Sequence, residues 1–392
     1  MKILIELTYY RPHTSGLTIY AERLAKALVK KGHAVTVLTS QYDPALPRNE
    51  KLDGVQIVRA PVLMRVSKGV IMPTFGWLAN KLVREHDVIH LHLPQVDAAG
   101  LALRGRIHKK PTVITYHCDL RMPYGILSWL ANQGVNLMNN IAGIFTHRIV
   151  TYTQDYADHS KFINRYKEKL AVINPPVELP DVTETEIQAF KQQHNPSSNH
   201  PVIGMAARFA TEKGVEILLS ALEEIILKYP KAEVWFAGPY ENILGEERYI
   251  ERLMPLIKQY QKKGNWKFLG LLSPLEMAGF YPNLDILTIP SLNSTEAFGL
   301  VQIEAMMNGV PSIASNLPGV RQPVIRHGMG EVIPIGDSGE LAHAVFKISE
   351  HKDRYKQGYQ RIKEQYTPFS IAEEYLRLFE EIYNEINPTS EL

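Results

Sequence analysis

The chain opens on KILIEL, a short unbroken apolar run of the kind a strand needs when both of its faces are covered. A turn-rich stretch, RPHTSG, follows, and then a segment in which Tyr20, Leu24 and Leu28 share one face at helical spacing. Gly32 ends that helix and AVTVLTS begins a second strand. A right-handed crossover makes the two strands parallel, so the N-terminus reads as a βαβ unit.

The same alternation recurs. DVIHLH, PTVITYH and HRIVTYT are further strands. The segment ELPDVTETEIQAFKQQHNPSSNHP then turns polar and proline-bearing, with only Ile187 and Phe190 in apolar register, and reads as a linker with one short helix. Beyond it, PVIGMAA, AEVWFAG, WKFLG, LDILTIP and VPSIAS are strands, and VEILLSALEEIILKY is an amphipathic helix. The expected fold class is α/β, with two doubly wound Rossmann-like domains. Their expected limits are 1–180 and 200–368, joined by the linker 181–199. An amphipathic helix at 369–392 is expected to pack back toward the N-terminal domain. Ligands of open α/β sheets bind beyond the carboxyl ends of the strands, so the cleft between the domains is the expected site.

Composition narrows the class. A chain of 392 residues, 45% hydrophobic and 21% charged, is long enough for two cores. A net charge of +2 gives no reason to expect a nucleic-acid partner. The single cysteine, Cys118, excludes an intrachain disulfide framework and fits a reducing compartment. MKILIELTYY turns polar too soon for a signal peptide. The longest apolar stretch, GILSWLANQGVNLMNNIAGIF, is broken by Asn132, Gln133, Asn136, Asn139 and Asn140. A cytoplasmic protein is expected. There is no G-x-G-x-x-G after the first strand and no P-loop motif, which argues against a dinucleotide dehydrogenase and a P-loop NTPase. No Asp-x-Asp pair offers a clamp for a metal-bound diphosphate, so no metal cofactor is expected.

Two segments carry chemistry. In MAARFATEKGVEILL a strand runs into a loop holding Arg208 and Lys213, then a helix. Solvated loop charges would look the same, but a forked guanidinium, an ammonium and a helix N-terminus suit a diphosphate. In STEAFGLVQIEA, Glu296 falls where a strand ends and a helix is expected to begin. Gly299 allows close approach to the backbone. The first-turn N–H groups of Ala297, Phe298, Gly299 and Leu300 would face outward as donors. Glu304 lies about two turns on, roughly 12 Å away at ~1.5 Å per residue, a span comparable to a nucleotide sugar from hexose to ribose. Singly, Glu296 is an ordinary helix-start acid and Glu304 a flank charge. Together with Gly299 they favour a ligand.

The E-x7-E element in EAFGLVQIE, with Arg208 and Lys213 upstream, resembles glycosyltransferase family 4, the retaining nucleotide-sugar enzymes of GT-B fold. HTSGLTIYAERLAKALVKKGHAVTVLT, DVIHLH, ITYHCD and GVPSIASNLPGVRQPV match in type and order, so the resemblance spans nearly the whole chain. It implies that Glu296 contacts donor-sugar hydroxyls and Glu304 the ribose. Arg208 and Lys213 would hold the diphosphate, and backbone near Gly270 and Leu271 would read the base. It also implies an active-site role for His117 near the reacting sugar. Asp119 is a candidate for orienting His117 or contacting the acceptor, and Cys118 is assigned no role. Gly16 matches the family's glycine loop, with Ser15-Gly16 standing where Gly-Gly is frequent.

The implied activity is metal-independent transfer, with retention, of a hexose from UDP-glucose or a close relative to a glycan, lipid-linked or small-molecule acceptor. Polysaccharide or glycoconjugate synthesis is the implied setting. A GT-B nucleotide-sugar 2-epimerase and a catalytically silent nucleotide-sugar-binding subunit are the rival readings. LRGRIHKKP is either a basic contact for acidic lipid headgroups or a solvated helix end, and RMPYGILSWLANQGVNLMNN either core or a wall for a lipid-linked acceptor. Peripheral contact with the inner face of a membrane, through the N-terminal domain, is among the expectations.

Overall fold

The computed structural model describes residues 1–66, 69–120, 126–356 and 359–388. The chain divides into two compact units, Met1–Val177 with Tyr366–Leu392, and Glu178–Gln365.

Unit 1 is built on an eight-stranded sheet. Its strands are β1 (Lys2–Glu6), β2 (Ala34–Gln41), β3 (Asn49–Leu52) and β4 (Val55–Pro61). After β5 (Met64–Val66) and β6 (Gly69–Ile71), which pair antiparallel by themselves, come β7 (Val88–Leu93), β8 (Thr112–Tyr116), β9 (Arg148–Thr151) and β10 (Leu170–Val172). The order is β10-β9-β8-β7-β1-β2-β4-β3, parallel except for β3 against β4. Every residue of VIHLHL and TVITY is buried, as strands covered on both faces require.

Unit 2 holds β11 (Val202–Ala206), β12 (Glu233–Ala237), β13 (Trp266–Gly270), β14 (Ile286–Ile289), β15 (Ser312–Ser315) and β16 (Gly330–Ile333). Their order is β13-β12-β11-β14-β15-β16, all parallel. Alternate residues feed two separate cores. Ile203, Val234, Phe236 and Ile286 join one, while Val202, Trp235 and Leu287 join the other. This is the period-2 pattern of a sheet with helices on both sides. In both units the strand order reverses beside the first strand, which makes each a doubly wound sheet with a switch point. In unit 1 that point lies between β1 and β7, and in unit 2 between β11 and β14.

The stretch expected as a linker with one short helix lies within unit 2, and the helix is present. Thr183 and Glu186 form a reciprocal capping box that starts the helix Glu184–His194. Phe190 on this helix is buried, 6.0 Å centroid to centroid from Trp235. The polar composition reflects the three exposed sides of the helix, with one aromatic anchoring it. The tail forms the helix Pro368–Ile386 within unit 1, burying Ile371, Tyr375, Leu378, Phe379 and Ile382. The strands VQIVRAP and GEVI escape a reading by apolar runs because both alternate or carry charge. Arg59 in β4 is buried and bonds to the carbonyls of Pro47 and Arg11 at 2.8 and 2.9 Å and to Glu50.

Of RMPYGILSWLANQGVNLMNN, residues 121–125 lie outside the described residues. The helix Ile126–Phe145 that follows is not wholly core, since Leu130, Leu137 and Ile144 stand exposed at seven-residue spacing. The basic stretch 103–111 ends the helix Ala98–Ile107, with Arg106 and Lys109 exposed.

If Phe190 anchors the helix as described, Phe190→Ala lowers the stability of unit 2 by about 3–5 kcal/mol. Denaturant unfolding followed by tryptophan fluorescence checks this, and an unchanged transition is the result a free linker would give.

Candidate functional site

At the switch point of unit 2 the loops after β11 and β14 meet. Gly214 makes the meeting possible. Its φ is +69°, and a Cβ there would stand 2.1 Å from the Pro290 carbonyl oxygen. Leu292 N–H donates to the Glu212 carbonyl at 2.9 Å, stitching one loop to the other. This contact brings Lys213 Nζ to 2.6 Å from Glu296 Oε2. Arg208 pairs with Glu212 one turn away on the same loop. Two cations and two carboxylates thus share the carboxyl end of the sheet.

Burial pulls the Lys213 pKa down, but the Glu296 carboxylate, its hydrogen bond and Glu212 outweigh it, so the pKa is raised and the ammonium stays charged. Burial likewise raises the pKa of Glu212, yet its own main-chain N–H, Arg208 and Lys213 hold it below the ordinary value.

The E-x7-E element is arranged differently from the expectation. The helix begins at Leu300, so Glu296, Ala297 and Phe298 lie in the loop before it. Gly299 caps the helix at φ +78°, in the left-handed region, which breaks any continuous helix from Glu296. Ala297 and Phe298 are buried and anchor the loop. Gln302 fastens the helix start, its Nε2 donating to the carbonyls of Phe298 and Val320 at 2.9 Å each. Glu304 sits on the second turn and is buried, accepting from Tyr281 O–H at 2.6 Å. Gly270 and Leu271 close β13 on the same side of the sheet, where the Gly270 carbonyl accepts from Gly238 N–H at 2.7 Å and Leu271 is exposed. Two buried hydroxyls at the ends of β14 and β15, Ser291 Oγ and Ser315 Oγ, have no hydrogen-bond partner among the described residues.

Unit 1 collects its polar groups at its own switch point. Ser15 caps the helix Gly16–Lys30 by accepting from Thr18 N–H at 3.2 Å, which gives the residue in place of the family's first glycine a structural task. Gly16 is the exposed first residue of that helix, with open space beside it. His117 follows β8 and is 8% exposed, with Nε2 2.8 Å from His92 Nδ1 and Nδ1 against Tyr152 O–H. Asp119 does not orient it. The chain turns so that Asp119 accepts from Tyr116 O–H at 2.8 Å and Ser160 O–H at 2.9 Å, on the other face of the strand. Beside them Glu6, fully buried at the end of β1, is held by Gln95, which Thr8 O–H also meets at 2.9 Å.

His92, Tyr152, Tyr281, Glu212 and Ser291 were not singled out from the sequence. A histidine or tyrosine inside an apolar strand looks like core until the neighbouring strand is known. Glu212 alone had a local signal, lying four residues after Arg208. Among the described residues no group of three or more His, Cys, Asp or Glu converges to hold a metal ion. Nor is any helix among them long and apolar enough to cross a membrane.

Comparison with known proteins bears on both units. Residues 14–180 match the model of Glycosyltransferase Family 4, and residues 186–365 that of Glycosyl transferases group 1. An uncharacterized glycosyltransferase of Methanocaldococcus jannaschii, MJ1607, is 26% identical over 342 residues, covering 83% of each chain. The phosphatidyl-myo-inositol mannosyltransferase of Mycolicibacterium smegmatis is 24% identical over 370 residues, 92% of this chain and 87% of that one. Among solved structures, Anabaena Alr3699/HepE in complex with UDP-glucose superposes with a TM-score of 0.78 at 19% identity, covering 97% of this chain and 100% of that one. The two domain matches and the two Rossmann-like units define a glycosyltransferase of GT-B fold.

The buried imidazoles make unit 1 acid-sensitive. Burial holds His90 and His117 well below the ordinary histidine range and takes His92 down to about 3 and His147 to about 4. The unfolded chain binds protons near about 6.5, before the folded one does, so stability falls as pH drops below that value. Burial raises Glu6, and brings Asp97 up to about 6, which acts in the opposite sense but involves fewer groups. Amide protection in β7 and β8, taken relative to the intrinsic exchange rate at each pH, is expected to fall steadily between pH 7 and 5; protection that does not change would contradict this.

Proposed function

We propose that the chain is a retaining family 4 hexosyltransferase that takes a UDP-hexose, glucose or a close relative, as donor. The observation that carries this reading is the Lys213–Glu296 pair beside Arg208 at the switch point of unit 2. Cleaving a glycosyl diphosphate builds negative charge on the leaving group and oxocarbenium character on the sugar. Arg208 forks two diphosphate oxygens and Lys213 supplies a point charge, which in this reading take the part a metal ion plays in other transferases. Fixed groups of this kind contribute roughly 3–4 kcal/mol each to such a step.

As Lys213 turns to the diphosphate, Glu296 is released to accept from hexose hydroxyls. Glu304, backed by Tyr281, takes the ribose diol, and the main chain at Gly270 and Leu271 reads the base. His117 of unit 1 serves the reacting sugar, and the departing phosphate oxygen accepts the proton of the acceptor hydroxyl as the acceptor attacks from the same face. HepE, similar in fold, has been crystallised with UDP and with UDP-glucose, which supports a UDP-sugar donor.

In this reading Arg208→Ala and Glu304→Ala each reduce donor turnover at least roughly 100-fold. Transfer, or UDP release by slow donor hydrolysis, measures it, and wild-type rates in both variants would overturn the assignment. Release of an epimerised donor without acceptor would favour the 2-epimerase reading instead.

For the acceptor we propose a lipid-linked molecule met at a membrane surface. Exposed Leu130, Leu137 and Ile144 run along one helix, exposed Ile107 ends its neighbour, and Arg106 and Lys109 are close in sequence to the latter. Such a mixture suits acidic headgroups over acyl chains. The relative from Mycolicibacterium smegmatis is a phosphatidyl-myo-inositol mannosyltransferase, which supports the same class. Leu130→Glu with Leu137→Glu is expected to abolish co-sedimentation with phosphatidylglycerol vesicles while leaving donor hydrolysis intact. Undiminished sedimentation would remove the membrane from the account.

A further inference from the structure

The turn that carries Arg208 and Lys213 has neighbours on both sides. Gly214 joins it to the loop after β14, and β12 lies on the other flank of β11. The β11–β12 ladder runs to Ala206 and Ala237. Past its end, Ala207 N–H still donates to the Ala237 carbonyl and Phe209 N–H to the Pro239 carbonyl, both at 2.9 Å. Between these bonds Gly238 takes a φ of +135°, and a Cβ there would stand 2.1 Å from the Ala207 carbonyl oxygen. Arg208 is thus flanked by two main-chain anchors.

Side chains hold the rest of the turn. Thr211–Lys213 is a lone 3₁₀ turn, too short to fix itself, and its first N–H has no acceptor within it. The acceptor comes from the start of the helix Glu247–Lys263. Glu246, the residue before that helix, makes no capping bond to it. Its carboxylate accepts instead from Thr211 N–H at 3.0 Å and Thr211 O–H at 2.7 Å. An acid placed only for the helix dipole would face its own helix; Glu246 faces the turn. Tyr249, three residues on, is buried, with its ring centroid 5.6 Å from that of Phe209. Its O–H donates to the Glu216 carboxylate and accepts from Glu216 N–H at 3.3 Å, a first-turn donor of the helix Val215–Lys228. Burial, with the Glu216 hydrogen bond second, raises the Tyr249 pKa, so the phenol keeps its proton. The held residues Ala207, Phe209, Thr211 and Glu216 therefore bracket the charged ones, Arg208, Glu212 and Lys213.

We propose that Glu246 and Tyr249 are positioning residues for the donor diphosphate. They fix the turn from the β12 side as Gly214 does from the β14 side, so Arg208 and Lys213 meet the diphosphate without first having to be ordered. The part played by the donor rests on the proposed reading of Arg208 and Lys213; the grip on the turn does not.

The test compares the whole protein with Glu246→Ala, Tyr249→Phe and the double variant. Tyr249→Phe keeps the ring against Phe209 and removes only the hydroxyl. Amide exchange across 209–213, read by mass spectrometry, should speed up about tenfold in the double variant, with the helix Glu184–His194 of the same unit unaffected. UDP affinity by calorimetry should fall about tenfold, while uridine affinity by NMR titration changes less than about twofold. Glu246→Gln, which keeps an acceptor for Thr211, should recover most of what Glu246→Ala loses. Unchanged exchange overturns the grip. Faster exchange with unchanged UDP affinity, or UDP and uridine weakened alike, overturns the positioning role. Arg208→Ala separates this inference from the reading beneath it. Unchanged UDP affinity in that variant brings down the reading of Arg208 and the inference with it. A loss there with none in the double variant brings down the inference alone.

Discussion

The charged end of unit 2 depends on one close approach, that of Gly214 to the Pro290 carbonyl. Any side chain at 214 would separate the loops after β11 and β14, and Lys213 would no longer reach Glu296 at 2.6 Å. The doubly wound order supplies the neighbouring strand ends. Gly214 supplies the last few ångströms, and the Leu292–Glu212 main-chain bond holds them. Each cation there stands beside a carboxylate, so the pair of loops is electrically balanced.

Unit 1 uses the same strand order for a different purpose. Its switch point holds buried imidazoles, phenols and a carboxyl whose pKa burial raises, not ion pairs. Such a network gains its order from hydrogen bonds in a dry setting, where each partner is costly to lose. In the proposed reading, a sugar acceptor would meet neutral groups on this unit, and a diphosphate would meet fixed charge on the other. Nucleophile and leaving group differ in just this way, since one arrives neutral and the other departs charged.

Much of this was legible in the sequence, for identifiable reasons. Unbroken runs such as VIHLHL announce inner strands because both faces need cover. Arg208 and Lys213 stood out because a strand-to-helix loop seldom needs two cations. The helix at Glu296 was misplaced because composition cannot show a glycine taking a positive φ; Gly299 does so and delays the helix to Leu300. The short helix expected in the polar stretch is there, as Glu184–His194; that it belongs to unit 2 was not legible, because a single buried phenylalanine, Phe190, suffices to hold it. His92 and Tyr152 were invisible, since their roles arise from β7–β8–β9 pairing, which no local window contains.

The most direct measurement is a crystal structure of the protein soaked with UDP-glucose. The account requires the diphosphate within hydrogen-bond distance of Arg208 and Lys213, the Lys213–Glu296 pair opened, and a ribose hydroxyl on Glu304. A nucleotide bound elsewhere, or bound with the Lys213–Glu296 pair still closed at its present distance, would contradict it.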